Sequence, residues 1–250
     1  SSDVCSSDLK KQAEEAGEEV VEEEVEEDIA TSTFGSLIHS CLEELFTPYA
    51  HRDKEGKLVT PAPGPINERH IAKMLTDFPE VLRKYFLKYF DHNETLFQRG
   101  KNLLSFEMAL DLTQQMLLKE LAFVKGLSEP LYIIQLEGRF ELTRTVQVGP
   151  EQIPIHFVGY IDRIDRIGAA QYRVIDYKSG KVKPDDVQMK EVKNEEELIK
   201  HFGKTKHALQ LSLYNYLYLK NFGVLPYQAG IYSLINISEG IFPFEGKDKT

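Results

Sequence analysis

From Thr31 onward, apolar residues recur with helical spacing through about Phe46, and Thr31, Ser32 and Thr33 supply N-cap chemistry ahead of them. Pro48–Pro65 is rich in Pro, Gly and charge and reads as a loop. Helical patterns return over Asn67–Phe78, Pro79–Phe90 and Leu103–Leu127, with a break expected where Pro79 enters. Beyond Pro130 the period changes to that of strands. Leu131–Val148, Ile153–Ile167 and Gln171–Tyr177 are rich in β-branched and aromatic residues, and Gly168 with two alanines marks the turn between the last two. A charged loop is expected from Ser179 to about Glu195. A helix from about Thr205 to Phe222 then ends at Gly223, and Tyr227–Ile237 reads as a final strand. The order is a helical region, three strands, a helix and a strand, which is an α/β chain.

Charge divides the chain. Residues 1–30 carry twelve acids and two lysines, whereas the remainder holds equal numbers of acidic and basic side chains, so the net charge of −10 resides in the tail. The tail, nearly all Glu, Val and Ala over Lys10–Asp28, reads as a solvated, disordered linker or a loose acidic helix. We therefore expect a tail over 1–30, a helical region over 31–128 and a core over 129–250 that is truncated at its end; a chain starting at Ser1 and stopping at Thr250 reads as a fragment. No apolar run approaches the roughly 18 residues that span a bilayer, and the first residues lack the order of a secretory signal, so a cytoplasmic protein without membrane contact is expected. Cys5 and Cys41 form no disulfide framework; Cys41, within an apolar stripe, reads as a buried thiol.

Candidate chemistry sits at the end of the third strand. In Tyr172–Gly180, alternation sends Asp176 and Lys178 to one side, and Gly180 permits a tight turn after them. Acid-x-Lys by itself carries little, since it also starts at Asp8, Glu55, Glu191 and Glu245. Asp176 differs because Asp162 lies on the preceding strand. A hairpin turning at residues 168–171 sets 162 opposite 176, where cross-strand side chains lie about 5 Å apart and both carboxylates can hold one cation. Mutual repulsion of two buried acids is relieved by a divalent ion, and oxygen donors favour Mg²⁺ or Mn²⁺. The alternative is a pair of surface acids compensated by Arg163 and Arg173. Gln210 and Tyr214, four apart on the helix, share a face and could orient the lysine or bind phosphate, or could simply border the apolar stripe of Leu209, Leu213 and Leu217. His39 falls roughly 130° from the centre of its own helix's stripe, on the side of Gly35, where a solvated histidine is equally consistent with the pattern.

The runs GYIDRID, YRVIDYKSGK and QLSLY, in this order, resemble the PD-(D/E)XK nuclease superfamily, and within it the RecB-like and AddB-like exonuclease branch. The resemblance implies a restriction-endonuclease-like core with an N-terminal helical region. It implies Asp162 and Asp176 as metal-binding acids, Lys178 as the motif lysine, the backbone carbonyl of Tyr177 as a further ligand, and Gln210 and Tyr214 as the helix motif. His39 resembles an upstream histidine that ligates metal, and Glu137 an acid on the strand before the first motif. The implied activity is Mg²⁺- or Mn²⁺-dependent hydrolysis of DNA, as the nuclease part of a helicase–nuclease repair system with a helicase subunit or domain as partner. A silent DNA-binding scaffold, or an exonuclease acting alone as in CRISPR adaptation, are the alternatives. Some relatives in this branch hold an iron–sulfur cluster on four cysteines; with two, none is expected here. Gly203-Lys204-Thr205 does not complete an ATP-binding loop, because the first glycine would fall at Leu198.

Overall fold

The computed structural model describes residues 29–246; the acidic tail through residue 28, including Cys5, lies outside the described residues. Among the described residues, five α-helices and a five-stranded mixed sheet form the body. The helices are α1 (Thr31–Phe46), α2 (Glu68–Tyr89), α3 (Gly100–Gly126), α4 (Glu195–Lys204) and α5 (Lys206–Phe222). The sheet runs in the order β1 (Leu131–Val148), β2 (Glu151–Ile167), β3 (Gln171–Lys178), β5 (Gln228–Ser233), β6 (Ile241–Pro243). The short β4 (Gln188–Met189) and β7 (Glu245–Gly246) pair with each other apart from it. Only β3 and β5 run parallel in the large sheet, joined through α5; the other neighbours are antiparallel.

Two hydrophobic layers enclose the sheet. On one face, α1, α2 and α3 bury Ile38, Leu42, Phe46, Ile71, Leu82, Phe86, Met116 and Leu117 with Ile133, Ile175 and Tyr177. On the other, Leu211, Tyr214, Leu217 and Tyr218 of α5 pack on Phe140, Ile164, Val174 and Ile231. Cys41 is fully buried in the first layer, and burial pushes its thiol up to about 12, so it acts as a small apolar side chain.

The helix break expected at Pro79 does not occur: α2 continues through it. Proline removes one backbone hydrogen bond and costs helix stability, but Met74, Phe78, Leu82 and Phe86 form one buried face that spans it. The helix is also well capped, since Asn67 Oδ1 accepts from the backbone of Arg69 (3.0 Å) and His70 (3.2 Å). The loop over 48–65 is tied to β1 by single bridges, Ala50 to Ile133 and, just past it, Ile66 to Leu131. The segment expected as one charged loop holds a 3-10 turn, Pro184–Val187, and β4. Helix α4, not anticipated, follows it; Asn194 caps it by accepting from Glu197 N at 2.9 Å, with three acids in its first turn. The last expected strand, Tyr227–Ile237, is shorter: β5 stops at Ser233, and a 3-10 turn over Ile237–Glu239 leads into β6. Helix α5 ends at Gly223, whose φ of 73° suits a residue without Cβ.

Strands β1 and β2 pair from Leu131↔Ile167 out to Val148↔Glu151, whereas β3 joins β2 only over Ile167–Arg163. The outer half of the hairpin is thus a two-stranded ribbon. Among the described residues, no helix is long and apolar enough to cross a membrane.

Candidate active site

The hairpin register, Arg163↔Ile175 and Ile164↔Val174, continues to set Asp162 opposite Asp176. Tyr177 N–H donates to Asp162 Oδ2 at 2.7 Å, which fixes one carboxylate across the strand gap. Alternation places Asp176 and Lys178 together at the end of β3, with Lys178 Nζ 2.8 Å from Asp176 Oδ2. This ion pair holds the lysine against a carboxylate that is almost fully buried. The other oxygen, Oδ1, accepts from Gln210 Nε2 at 3.1 Å, and the same amide lies 2.7 Å from the Tyr214 hydroxyl. Helix α5 can bring these side chains so close because it lies over Gly159, where a Cβ would come within 2.7 Å of Leu217.

Helix α1 closes the site from the opposite side. A Cβ on Gly35 would stand 2.6 Å from Ser179 Oγ, so glycine there lets the helix settle against the turn that follows Lys178. One turn on, His39 Nδ1 lies 3.9 Å from Asp162 Oδ2, and its ring meets Tyr177 edge-on at 5.8 Å between centroids. The His39 side chain is 25% exposed, which makes it a boundary residue rather than a solvated one.

Glu137 enters from β1. The pairs Leu136↔Arg163 and Gly138↔Ile161 on either side set it opposite Asp162. Its φ is +48°, in the left-handed region that costs a side-chain-bearing residue roughly 1–2 kcal/mol. One ligand atom from each of His39, Glu137 and Asp162 lies within 4.8 Å of the others. A polar cavity of about 200 Å³, lined by Ser36, His39, Ser40, Glu43 and Glu137, opens beside this cluster.

Electrostatics bears on whether a cation fits. Burial first, then Asp162 and Glu43, pushes Glu137 up to about 7. Burial raises Asp162 to about 6 against the opposing effect of the Tyr177 N–H. Asp176 is also raised to about 6, by burial and then by Asp162. Desolvation lowers His39, which favours the neutral imidazole that binds metals. Desolvation and then Lys178 lower His207 on α5 as well. Three carboxyl groups therefore meet, with the Lys178 ammonium beside Asp176, and with Lys54, paired with Glu43 at 2.6 Å, opposing the rise of Glu137. A hard divalent cation would relieve that excess, and carboxylate oxygens with one imidazole nitrogen are donors that suit it. The residues present fit such an ion.

A family model for the PD-(D/E)XK nuclease superfamily matches residues 12–246. The chain belongs to the PD-(D/E)XK nuclease superfamily. Membership accounts for the mixed sheet with a helix joining β3 to β5 and implies DNA as substrate and divalent metal ions as cofactors. Comparison with curated proteins finds no match.

The sequence names Asp162, Asp176, Lys178, Tyr177, Gln210, Tyr214, His39 and Glu137 as candidates for this nuclease-superfamily site, and the structure brings all of them together. The tightest donor cluster, however, contains Glu137 and not Asp176. Arg163 and Arg173 do not compensate the two site acids. Both turn into the other layer, where Arg173 binds Asp165 through two bonds, 2.8 and 2.7 Å, and Arg163 lies 3.1 Å from Glu120 and 3.0 Å from Asp165. Glu43 and His207 were missed. A signal existed for the first, because Gly35, His39 and Glu43 are spaced by four on one helix face.

Proposed function

We propose that the chain is a Mg²⁺- or Mn²⁺-dependent deoxyribonuclease of the RecB/AddB-like exonuclease branch, serving as the nuclease part of a helicase–nuclease system in DNA repair. The branch rests on the order of GYIDRID, YRVIDYKSGK and QLSLY, and the helicase partner follows from the branch. The observation that carries the chemistry is the convergence of His39, Glu137 and Asp162 donors beside the Asp176–Lys178 pair.

In this reading His39, Glu137, Asp162, Asp176 and the Tyr177 carbonyl hold the cation. Bound there, it would supply positive charge to the phosphate and acidify water. Lys178 positions the attacking water and offsets charge on the scissile phosphate. Water oxygen bonds to phosphorus and its proton passes to solvent, the opposite phosphorus–oxygen ester bond breaks, and the departing alkoxide takes a proton from solvent water. Gln210 holds Asp176 in register through its amide.

The test is incubation of the purified chain with linear and circular DNA, with and without Mg²⁺ or Mn²⁺, beside Asp176→Ala and Lys178→Ala. Metal-dependent loss of linear DNA with circular DNA spared is expected, and either variant should lose about a hundredfold or more in rate. Undiminished cleavage by either variant overturns the assignment of these residues.

A further inference from the structure

A cavity of about 360 Å³ lies between α3 and the start of β6, over β3 and β5. Ala122, Phe123 and Ile241 supply apolar walls, and Lys119, Arg173 and Tyr232 bring polar atoms to it. Arg173 stands near the start of β3 and Lys178 at its end, roughly 16 Å apart along the strand, so the cavity is separate from the metal-donor cluster. Arg173 is 3% exposed and Tyr232 5%. Asp165 takes the Nε and Nη2 donors of Arg173 at 2.8 and 2.7 Å, and the Phe123 ring covers the guanidinium at 4.3 Å. The remaining terminal nitrogen, Nη1, has no hydrogen-bond partner among the described residues, and neither has the Tyr232 hydroxyl. Polar groups held this deep are ordinarily paired, with protein, water or a ligand.

We infer that this cavity binds a small monocarboxylate with an apolar body, its carboxylate on Arg173 Nη1, the Tyr232 hydroxyl and Lys119. Three charged side chains line the cavity: Lys119, Glu120 and Arg173. Glu120 is matched by Arg163 at 3.1 Å and Arg173 by Asp165 at 2.7 Å, whereas Lys119 meets the Ser238 carbonyl, at 3.4 Å, and no carboxylate among the described residues. One positive charge is left over, and a single carboxylate balances it. A phosphate monoester, with about −1.5 to −2 charges at neutral pH, would press surplus negative charge against Glu120. A carboxylate has lone pairs enough to accept from a guanidinium, a hydroxyl and an ammonium together. The apolar walls take the body of the ligand, and the volume lies within the range of small-ligand sites. None of these residues belongs to the proposed nuclease machinery, so the cavity stands or falls independently of DNA cleavage.

The experiment titrates 2-naphthoate into the full chain by calorimetry at neutral pH, for wild type, Lys119→Gln and Ala122→Leu. Companion titrations use 2-naphthamide, acetate and 2-naphthyl phosphate. Both substituted positions are exposed on α3, so each variant should fold as wild type does, with Tm unchanged. Expected is saturable binding of 2-naphthoate, with about tenfold or greater weakening for 2-naphthamide, which lacks the charge, and for acetate, which lacks the apolar body. Ala122→Leu fills the cavity and should weaken 2-naphthoate by about tenfold or more; Lys119→Gln removes the unmatched cation and should weaken it by about threefold. No saturable binding of 2-naphthoate to wild type, equal binding of 2-naphthamide, or undiminished binding to either variant overturns the site. Tighter binding of 2-naphthyl phosphate than of 2-naphthoate overturns the assignment of a carboxylate.

Discussion

The main-chain N–H of Tyr177 donates to Asp162 Oδ2 over 2.7 Å, so the residue between the second acid and the lysine is what holds the first acid in place. The same residue anchors in two further directions. Its hydroxyl accepts from Arg163 at 3.2 Å, and its ring supports His39 edge-on. One tyrosine thus links β2, β3 and α1 at the point where the donors converge.

Tyr177→Phe should therefore leave the site geometry intact, since ring and N–H remain. Losing the buried hydroxyl bond should cost about 1 kcal/mol in urea unfolding. Tyr177→Ala removes the support under His39 and should weaken Mn²⁺ binding by calorimetry well beyond what Tyr177→Phe does.

The raised carboxyls make metal-free stability depend on pH. Glu137, raised to about 7, and Asp162 and Asp176, each raised to about 6, bind protons more tightly when folded than when unfolded. Stability from these groups is fully present below their unfolded values of roughly 4 and is lost as pH rises through about 6 to 7. In EDTA, Tm should fall across that window, and the fall should be smaller in Glu137→Gln. Mn²⁺ should raise Tm most at the upper end, because ligands must be deprotonated to bind it.

The positive φ of Glu137 inverts an ordinary preference. Within strands glycine is usually weaker than alanine by roughly 0.5–1 kcal/mol, but here alanine would retain the left-handed cost and glycine would not. Denaturant titration of metal-free protein should find Glu137→Gly more stable than Glu137→Ala. Both should lose Mn²⁺ affinity by at least about tenfold.

Close approach of α1 is equally open to test. Gly35→Val would drive a branched side chain into Ser179, whose Oγ and Cβ stand 2.6 and 3.0 Å from an added Cβ. Helix propensity favours valine over glycine slightly, so folding should largely survive. His39 should move off Asp162, and Mn²⁺ affinity should drop several-fold. A strand-end Ser179→Gly in the same protein should recover part of it.

The buried ion network is a stability determinant separate from the metal. Arg163 is fully buried between Glu120 and Asp165, with Phe46 against its guanidinium at 4.7 Å. Arg163→Ala leaves two buried carboxylates short of a partner and should cost about 3–5 kcal/mol. Replacement by methionine together with Glu120→Gln should cost less, since fewer charges are then stranded.

Much of this was legible from sequence for a physical reason. Period-two alternation and a glycine turn fix a hairpin register, and that register alone sets Asp162 against Asp176. Gly223 likewise announces the end of α5. What escaped depends on contacts distant in sequence. Pro79 reads as a break because local chemistry says so, and only the buried face of Phe78 and Leu82 overrides it. Arg163 and Arg173 look like counter-ions to the nearest acids in sequence, but a strand sends neighbours to opposite faces, and their partners are Glu120 and Asp165. Glu137 carried no local signal for its backbone conformation, since a left-handed φ at a glutamate is not encoded in composition.

The Arg163–Glu120 contact joins a strand of the sheet to a helix that precedes all the strands. Severing the polypeptide between them would leave opposite charges unpaired on two apolar surfaces. Shuffling this scaffold by cassette exchange is consequently a poor engineering route; grafted versions would have to carry both partners, and laboratory evolution should find changes at 120 and 163 arriving together.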